Sequence, residues 1–299
     1  MGEISGEYME EPGLEISIII PTYGREQILI NTIESLLPLR KPGRELLIVD
    51  QTLQHDSAVE SKLREWSDSK VITWLRCNKP SVMTAMNIGL RHARGRIALF
   101  LDDDIDPDSG LIDAHLEGHK QTYEQNRYAL VAGRVIQPWA KERFSPFDAA
   151  NPAEVEEFMG GNFSVDRVLA VSLGGFDQNF RYAAYQYERE FADRLRASGA
   201  RILYWPSAVI HHLKATEGGV RSYGSHLTTW RPGHSLGAYY YIFTSKEKRT
   251  QRIVKRLVHS IKTRFHLTHP WYVPSTLVAE FTGLFLASIL WSKGPQLIH

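Results

Sequence analysis

Over the first hundred residues, short unbroken apolar runs alternate with stretches whose apolar positions recur at helical spacing. Ile16 to Ile20 is a β-branched run stopped by Pro21 and reads as a buried strand. Ile28, Leu29, Ile33, Leu36 and Leu37 then share one face of a helix expected over residues 25–37, which Pro38 ends. A second strand, Leu46 to Val49, runs into Asp50. A helix near residues 57–66 and a strand over 71–75 follow, and Ser81 is placed to cap a helix through residues 83–93. Ile97 to Leu101 is again apolar without helical period, set between the turn-like Arg94-Gly95-Arg96 and the breakers Pro107 and Gly110. Strands alternating with helices predict an α/β fold with a mostly parallel central sheet and right-handed crossovers.

Beyond residue 128 the pattern loosens. A strand is expected over 129–136, a loop rich in Pro, Trp and Phe over 137–160, and a helix over 187–197 closed by Gly199. A final strand spans 202–205, with His211 and His212 a few residues past Pro206. The expected organisation is a flexible tail over residues 1–14, one α/β domain over 15–232, and a helical appendage over 233–299.

Composition narrows the class. The chain has 299 residues, 43% of them hydrophobic, enough to bury a full core. Its formal net charge is +1, and no basic stretch dominates the first 240 residues, which argues against a nucleic-acid partner. The lone cysteine, Cys77, cannot form an internal disulfide and suits a reducing, cytoplasmic compartment.

The strand at Ile97–Leu101 ends in three consecutive carboxylates, Asp102, Asp103 and Asp104. Adjacent acids repel unless a cation lies among them, and in open α/β sheets ligands bind beyond the carboxyl ends of strands. A divalent metal site is one reading. A solvated acidic turn, helix-capping acids at Asp106 or Asp108, and a calcium loop compete with it. The calcium template fits poorly, because Ser109 and His115 stand where it requires Gly and Glu.

Eight segments in order, IIIPTYGR, LIVDQT, SVMTAMNIGLRHARG, FLDDD, GGNFSVDR, LGGFDQNF, YEREFADRLRASGARILYWP and HH, resemble the inverting family-2 glycosyltransferases of GT-A fold, over residues 16–221. The resemblance implies transfer of a sugar from a nucleotide-diphosphate donor to a hydroxyl acceptor. It assigns the nucleobase to Pro21, Thr22, Tyr23 and Asp50. Asp104 becomes the principal ligand of magnesium or manganese, with Asp102 assisting and His212 contacting metal or diphosphate. Asp103 is grouped with the donor-binding residues, although strand alternation turns its side chain to the other face. Arg221 is expected at the diphosphate, and Gly160, Gly161 and Asn162 on the acceptor side. The catalytic base falls on Glu188, with Glu190 second and Asp177 third. Tyr187 occupies a position that is usually Glu in the family, a departure that leaves room for a non-catalytic nucleotide-sugar binding protein.

Residues 250–265 place apolar side chains on one helical face and Arg252, Lys255, Arg256, Lys262 and Arg264 on the other, as in a membrane-surface helix or one docked on the domain. Residues 271–291 are apolar with Trp at both ends, but Glu280 near the centre offsets the gain from insertion. An interfacial or protein-docked hairpin is expected rather than a crossing. A peripheral contact at the inner face of the cytoplasmic membrane, and a role in cell-surface glycan or polysaccharide synthesis, follow as expectations.

Overall fold

The computed structural model describes residues 13–137, 146–215, 218–219, 224–245 and 248–298. Its first half follows the alternation of the sequence: β1 (Ile16–Thr22), α1 (Gln27–Leu36), β2 (Arg44–Asp50), α2 (Ser57–Asp68), β3 (Thr73–Arg76), α3 (Val82–His92) and β4 (Ile97–Leu101). Ser81 caps α3, its hydroxyl accepting from the Thr84 N–H at 3.3 Å. A short strand β5 (Ile105–Pro107) and helix α4 (Leu111–Gly118) come next, then the hairpin β6 (Thr122–Tyr123) and β7 (Asn126–Arg127), and β8 (Leu130–Ile136). The chain continues through β9 (Ala153–Val155), β10 (Asn162–Asp166), α5 (Arg167–Ser172), α6 (Tyr187–Ala197) and β11 (Ile202–His212). Four helices close it: α7 (Ser235–Thr244), α8 (Arg249–Ile261), α9 (Arg264–Thr268) and α10 (Val273–Lys293).

The main sheet has nine strands in the order β3-β2-β1-β4-β10-β8-β11-β5, with β9 also paired to β11. Strands β1 to β4 are parallel, as are β8 and β11, whereas β10 runs antiparallel between β4 and β8. Helices cover both faces, which is why the strands read as continuous apolar runs. Ile16, Ile18 and Ile20 pack with α1, α2 and α4, while Ile19 faces α3, α6 and the C-terminal helices.

The last strand is longer than the sequence implied. Pro206 interrupts the β8–β11 ladder, whose register shifts between Trp205 and Val209, and pairing then resumes through His211. Because Pro donates no ladder bond, a bulge lets the strand continue past it. The extension brings His212 opposite Ile105 on β5, beside the acidic cluster.

The C-terminal helices share the main core. Leu236, Tyr239 and Tyr240 of α7 and Ala287 and Leu290 of α10 are buried with residues from the sheet. Pro270–Lys293 is long and apolar enough to cross a membrane by length and composition, with 33% of its apolar window buried. Glu280 faces inward: Arg256 Nη2 donates to Oε1 at 2.7 Å and the Tyr239 hydroxyl to Oε2 at 2.8 Å. Removing one partner of a buried ion pair strands the other charge. Arg256→Met is expected to lower unfolding free energy by about 3 kcal/mol, and adding Glu280→Leu to restore most of it, as read by urea denaturation.

Candidate active site

The ends of β1, β4 and β11 and the start of α3 converge on a cleft of about 280 Å³ lined by Pro21 and Thr22 at the end of β1 and Tyr23 just after it, by Asp102, Asp103 and Asp104 after β4, by Ser81 and Val82, and by Arg25, Tyr182 and His212. The three acids have different partners. Asp103 is buried, accepting from the Thr22 hydroxyl at 2.7 Å and from Arg25 Nε at 3.0 Å. Burial pushes its pKa up to about 6, with Asp104 and Asp102 adding to the rise and Arg25 and Thr22 opposing it. Two of the residues expected to touch the donor, Thr22 and Asp103, thus bind each other and tie the end of β1 to the end of β4.

Asp102 and Asp104 flank this knot and meet His212. His212 Nε2 stands 3.2 Å from Asp104 Oδ1 and 3.8 Å from Asp102 Oδ2. The other Asp104 oxygen accepts from the Ala215 N–H at 2.8 Å and lies 3.6 Å from Arg25 Nη2. Burial alone would raise the Asp104 pKa, but the His212 bond and charge, the Ala215 N–H and Arg25 together hold it below the ordinary carboxylate value. The donor atoms of Asp102, Asp104 and His212 lie within 4.8 Å of one another, and two carboxylates with an imidazole form a donor set suited to a divalent cation. His211, on the opposite face of β11, turns to Asp108 at 3.2 Å.

Glu188 opens α6 on the far side of Asp102. It is half-buried, and desolvation pushes its pKa up to about 7, with the Asp102 charge adding to the rise. Gly160 and Gly161 bridge the two acids. A Cβ on Gly160 would overlap the Tyr187 hydroxyl and stand 3.3 Å from Glu188 Oε1, and one on Gly161 would overlap the Asp102 carboxylate. A side chain at either position would have to displace the Tyr187 hydroxyl or the Asp102 carboxylate from its place.

Several expected site residues have other work. Asp50 is fully buried: its oxygens accept from Thr52 N–H at 2.8 Å, His55 Nε2 at 2.8 Å and Trp74 Nε1 at 3.0 Å, so its carboxylate is not presented to a nucleobase. Burial raises its pKa, but those bonds and the His55 charge outweigh it and leave the value lowered. Asn162 is equally buried, because the first residue of β10 points away from the cleft. Its amide nitrogen donates to the carbonyls of Arg134 and Ala208 at 3.0 and 2.9 Å, and its oxygen accepts from His115 Nε2 at 2.8 Å. Ala208 lies in the break of the β8–β11 ladder, so Asn162 braces the bulge rather than an acceptor. Glu190 is held by Arg194 through bonds of 2.6 and 2.8 Å. Asp177 accepts from the Tyr240 hydroxyl at 2.7 Å and from the Asn179 and Gln296 N–H groups. Neither offers a carboxylate to the cleft. Arg221 lies outside the described residues.

Among the cleft residues that escaped the sequence reading are Arg25 and Tyr182. Arg25 closes the IIIPTYGR segment and could have been suspected as a counter-charge to the triple aspartate. Tyr182 carried no signal. It belongs to a loop before α6 where Tyr182, Ala184 and Gln186 have φ of 60°, 49° and 76°, a concentration of left-handed residues that costs folding energy and is commonest at functional sites. Removing the charge from Arg25 would leave Asp103 as an uncompensated buried acid. Arg25→Met is therefore expected to cost about 3 kcal/mol of unfolding free energy at neutral pH, measured by urea denaturation, and an unchanged midpoint would contradict the pairing.

The fold places the chain among known proteins. The sequence family described as glycosyl transferase family 2 matches residues 17–173. No curated protein sequence matches the chain. Among solved structures, the mannosyltransferase PcManGT from Pyrobaculum calidifontis, in complex with GDP-Man and Mn2+, is similar with a TM-score of 0.56 and 17% identity over 97% of this chain and 83% of that one. GalNAc-T7 with UDP, GalNAc and Mn2+ gives 0.57 at 14% identity, covering 80% of this chain and 52% of that one. S. aureus TarS 1-349 with UDP-GlcNAc gives 0.57 at 14% identity, over 80% and 69% of the two chains. These likenesses establish the GT-A arrangement of the sheet. With the family match covering more than half of its residues, the chain belongs to glycosyltransferase family 2.

Proposed function

We propose that this glycosyltransferase is metal-dependent and inverting, and that it moves a sugar from a nucleotide-diphosphate donor to a hydroxyl acceptor. The observation that carries the reading is the placement of Glu188, an acid with raised pKa, across Gly160 and Gly161 from Asp102. One side of the cleft then serves the leaving group and the other the nucleophile. The donors crystallised with the structural neighbours, GDP-Man and UDP-GlcNAc, and the Mn2+ found with two of them, support the donor class.

Asp102, Asp104 and His212 would hold a divalent cation. When bound, it supplies charge neutralisation to the departing diphosphate. Arg25, bonded to Asp103 and close to Asp104, sets a fixed positive charge on the same wall. On the opposite wall the Glu188 carboxylate takes the proton of the acceptor hydroxyl as that oxygen bonds to the anomeric carbon. The bond from that carbon to the diphosphate breaks on the other face, which inverts the centre. Pro21 and Tyr23 offer the surface on which a nucleobase rests. A glycan on a membrane-borne lipid carrier is the acceptor class we favour, with the enzyme peripheral at the inner face of the cytoplasmic membrane and its product a cell-surface polysaccharide.

A base works only when deprotonated. Activity is therefore expected to climb with rising pH through a midpoint of about 7, drawn lower when a cation beside Asp102 offsets that charge. Glu188→Gln is expected to cut kcat by about a thousandfold, while stabilisation by nucleoside diphosphate with manganese, followed by thermal denaturation, stays as in the parent. Retained turnover would remove Glu188 as base.

A further inference from the structure

The outward face of α10 carries no charge before Lys293 in its last turn. Trp271, just before the helix, and Val278, Phe281 and Phe285 within it project from one side, with Phe281 and Phe285 56% and 65% exposed. The opposite side, through Ala279, Glu280, Gly283 and Ala287, is buried against the protein. From Trp271 to Phe285 this apolar stripe extends for about 20 Å along the helix. Such a stripe is an unusual thing for a soluble surface to leave bare.

Its surroundings bear on what would cover it. Helix α8 runs antiparallel beside α10, since Arg249 lies over the Trp291 ring at 4.4 Å and Arg256 reaches Glu280. From Lys248 to Ala279 the chain holds seven bases and no acid. Arg256 is consumed by Glu280, but Lys255, Lys262 and Arg264 are exposed and form no ion pair among the described residues. An apolar stripe next to a helix bearing exposed bases complements a bilayer with anionic headgroups, the stripe entering the acyl boundary while the bases meet phosphate. A second copy of the chain would bring like charges together around the stripe. A crossing of the bilayer by α10 would require its inner face, with Glu280, to leave α7 and Arg256.

We propose that α8 and α10 form a docking face for anionic membrane, on which the protein lies flat. The docking helices also contact the loop before α6. Arg256, on the inner side of α8, stacks 6.0 Å from the Tyr185 ring in the loop that leads to Glu188, so the segment carrying Glu188 packs on the helices of the docking face. This deepens the proposal of a membrane-borne acceptor and rests on it.

The test is co-sedimentation of the full chain with vesicles of phosphatidylcholine containing phosphatidylglycerol, against phosphatidylcholine alone. Binding is expected only with the anionic lipid and should weaken with salt. Phe281→Ser with Phe285→Ser, on the exposed face, should weaken it at least about tenfold, and Lys255→Glu with Lys262→Glu should weaken it as well, with thermal stability and nucleoside diphosphate binding unchanged in both. Absence of binding by the parent chain, undiminished binding by either variant, extraction from membranes only by detergent, or a stable dimer that buries Phe281 would each overturn the docking face. Because nucleotide binding and turnover with a soluble acceptor are read separately, their loss in the parent chain would instead overturn the catalytic reading.

Discussion

One buried ionic contact organises the cleft. Three adjacent carboxylates at the end of a strand cannot all face the same solvent pocket without strong mutual repulsion, and the fold resolves this by turning the middle one inward. Asp103 receives the Thr22 hydroxyl from the end of β1 and the Arg25 guanidinium from the loop after it. Thr32 of α1 joins the same junction, its hydroxyl donating to the Asp103 carbonyl at 3.0 Å. The first strand, the first helix and the fourth strand are thereby locked together at the mouth of the sheet. Asp102 and Asp104 are left facing the cleft.

A second constraint brings the imidazole to them. The last strand would end at Pro206 if the ladder had to be regular. The bulge there leaves the Ala208 carbonyl without its place in the β8–β11 pairing, and Asn162 supplies the missing donor. Asn162 is in turn oriented by His115, a histidine whose pKa burial pushes down to about 4, so that it stays neutral at physiological pH. Beyond the bulge, β11 pairs with β5 and His212 arrives beside Asp104, where the Leu213 N–H donates to the Asp104 carbonyl at 2.7 Å. The buried amide thus acts on the placement of His212 beside Asp102 and Asp104 through the backbone of a strand, without touching the cleft.

Much of the architecture was legible because it depends on local period. The strand and helix alternation through Leu101, the Ser81 cap and the limits of α6 at Tyr187–Ala197 all follow from apolar spacing and capping chemistry. The grouping of Asp102, Asp104 and His212 came from resemblance and not from pattern, since more than a hundred residues separate the acids from the histidine. What could not be read were the partners of individual polar residues. Asp50 looks like a binding acid until Trp74 and His55 are found on it, and Glu190 looks like a base until Arg194, one turn on, closes over it. A carboxylate type in a suitable motif says nothing about which donors the fold will bring to it. The same limit hid Tyr182, whose left-handed backbone is set by tertiary context.

The central claim is that Asp102, Asp104 and His212 act together as a cation site facing the leaving group, opposite Glu188. Anomalous diffraction from crystals grown with manganese and a nucleoside diphosphate addresses it directly. The account predicts one strong peak bonded to Asp104 and His212, with Asp102 bonded directly or through water and diphosphate oxygens completing the shell at about 2.0–2.3 Å. A manganese peak away from these three residues, or a nucleotide bound with none, would contradict it.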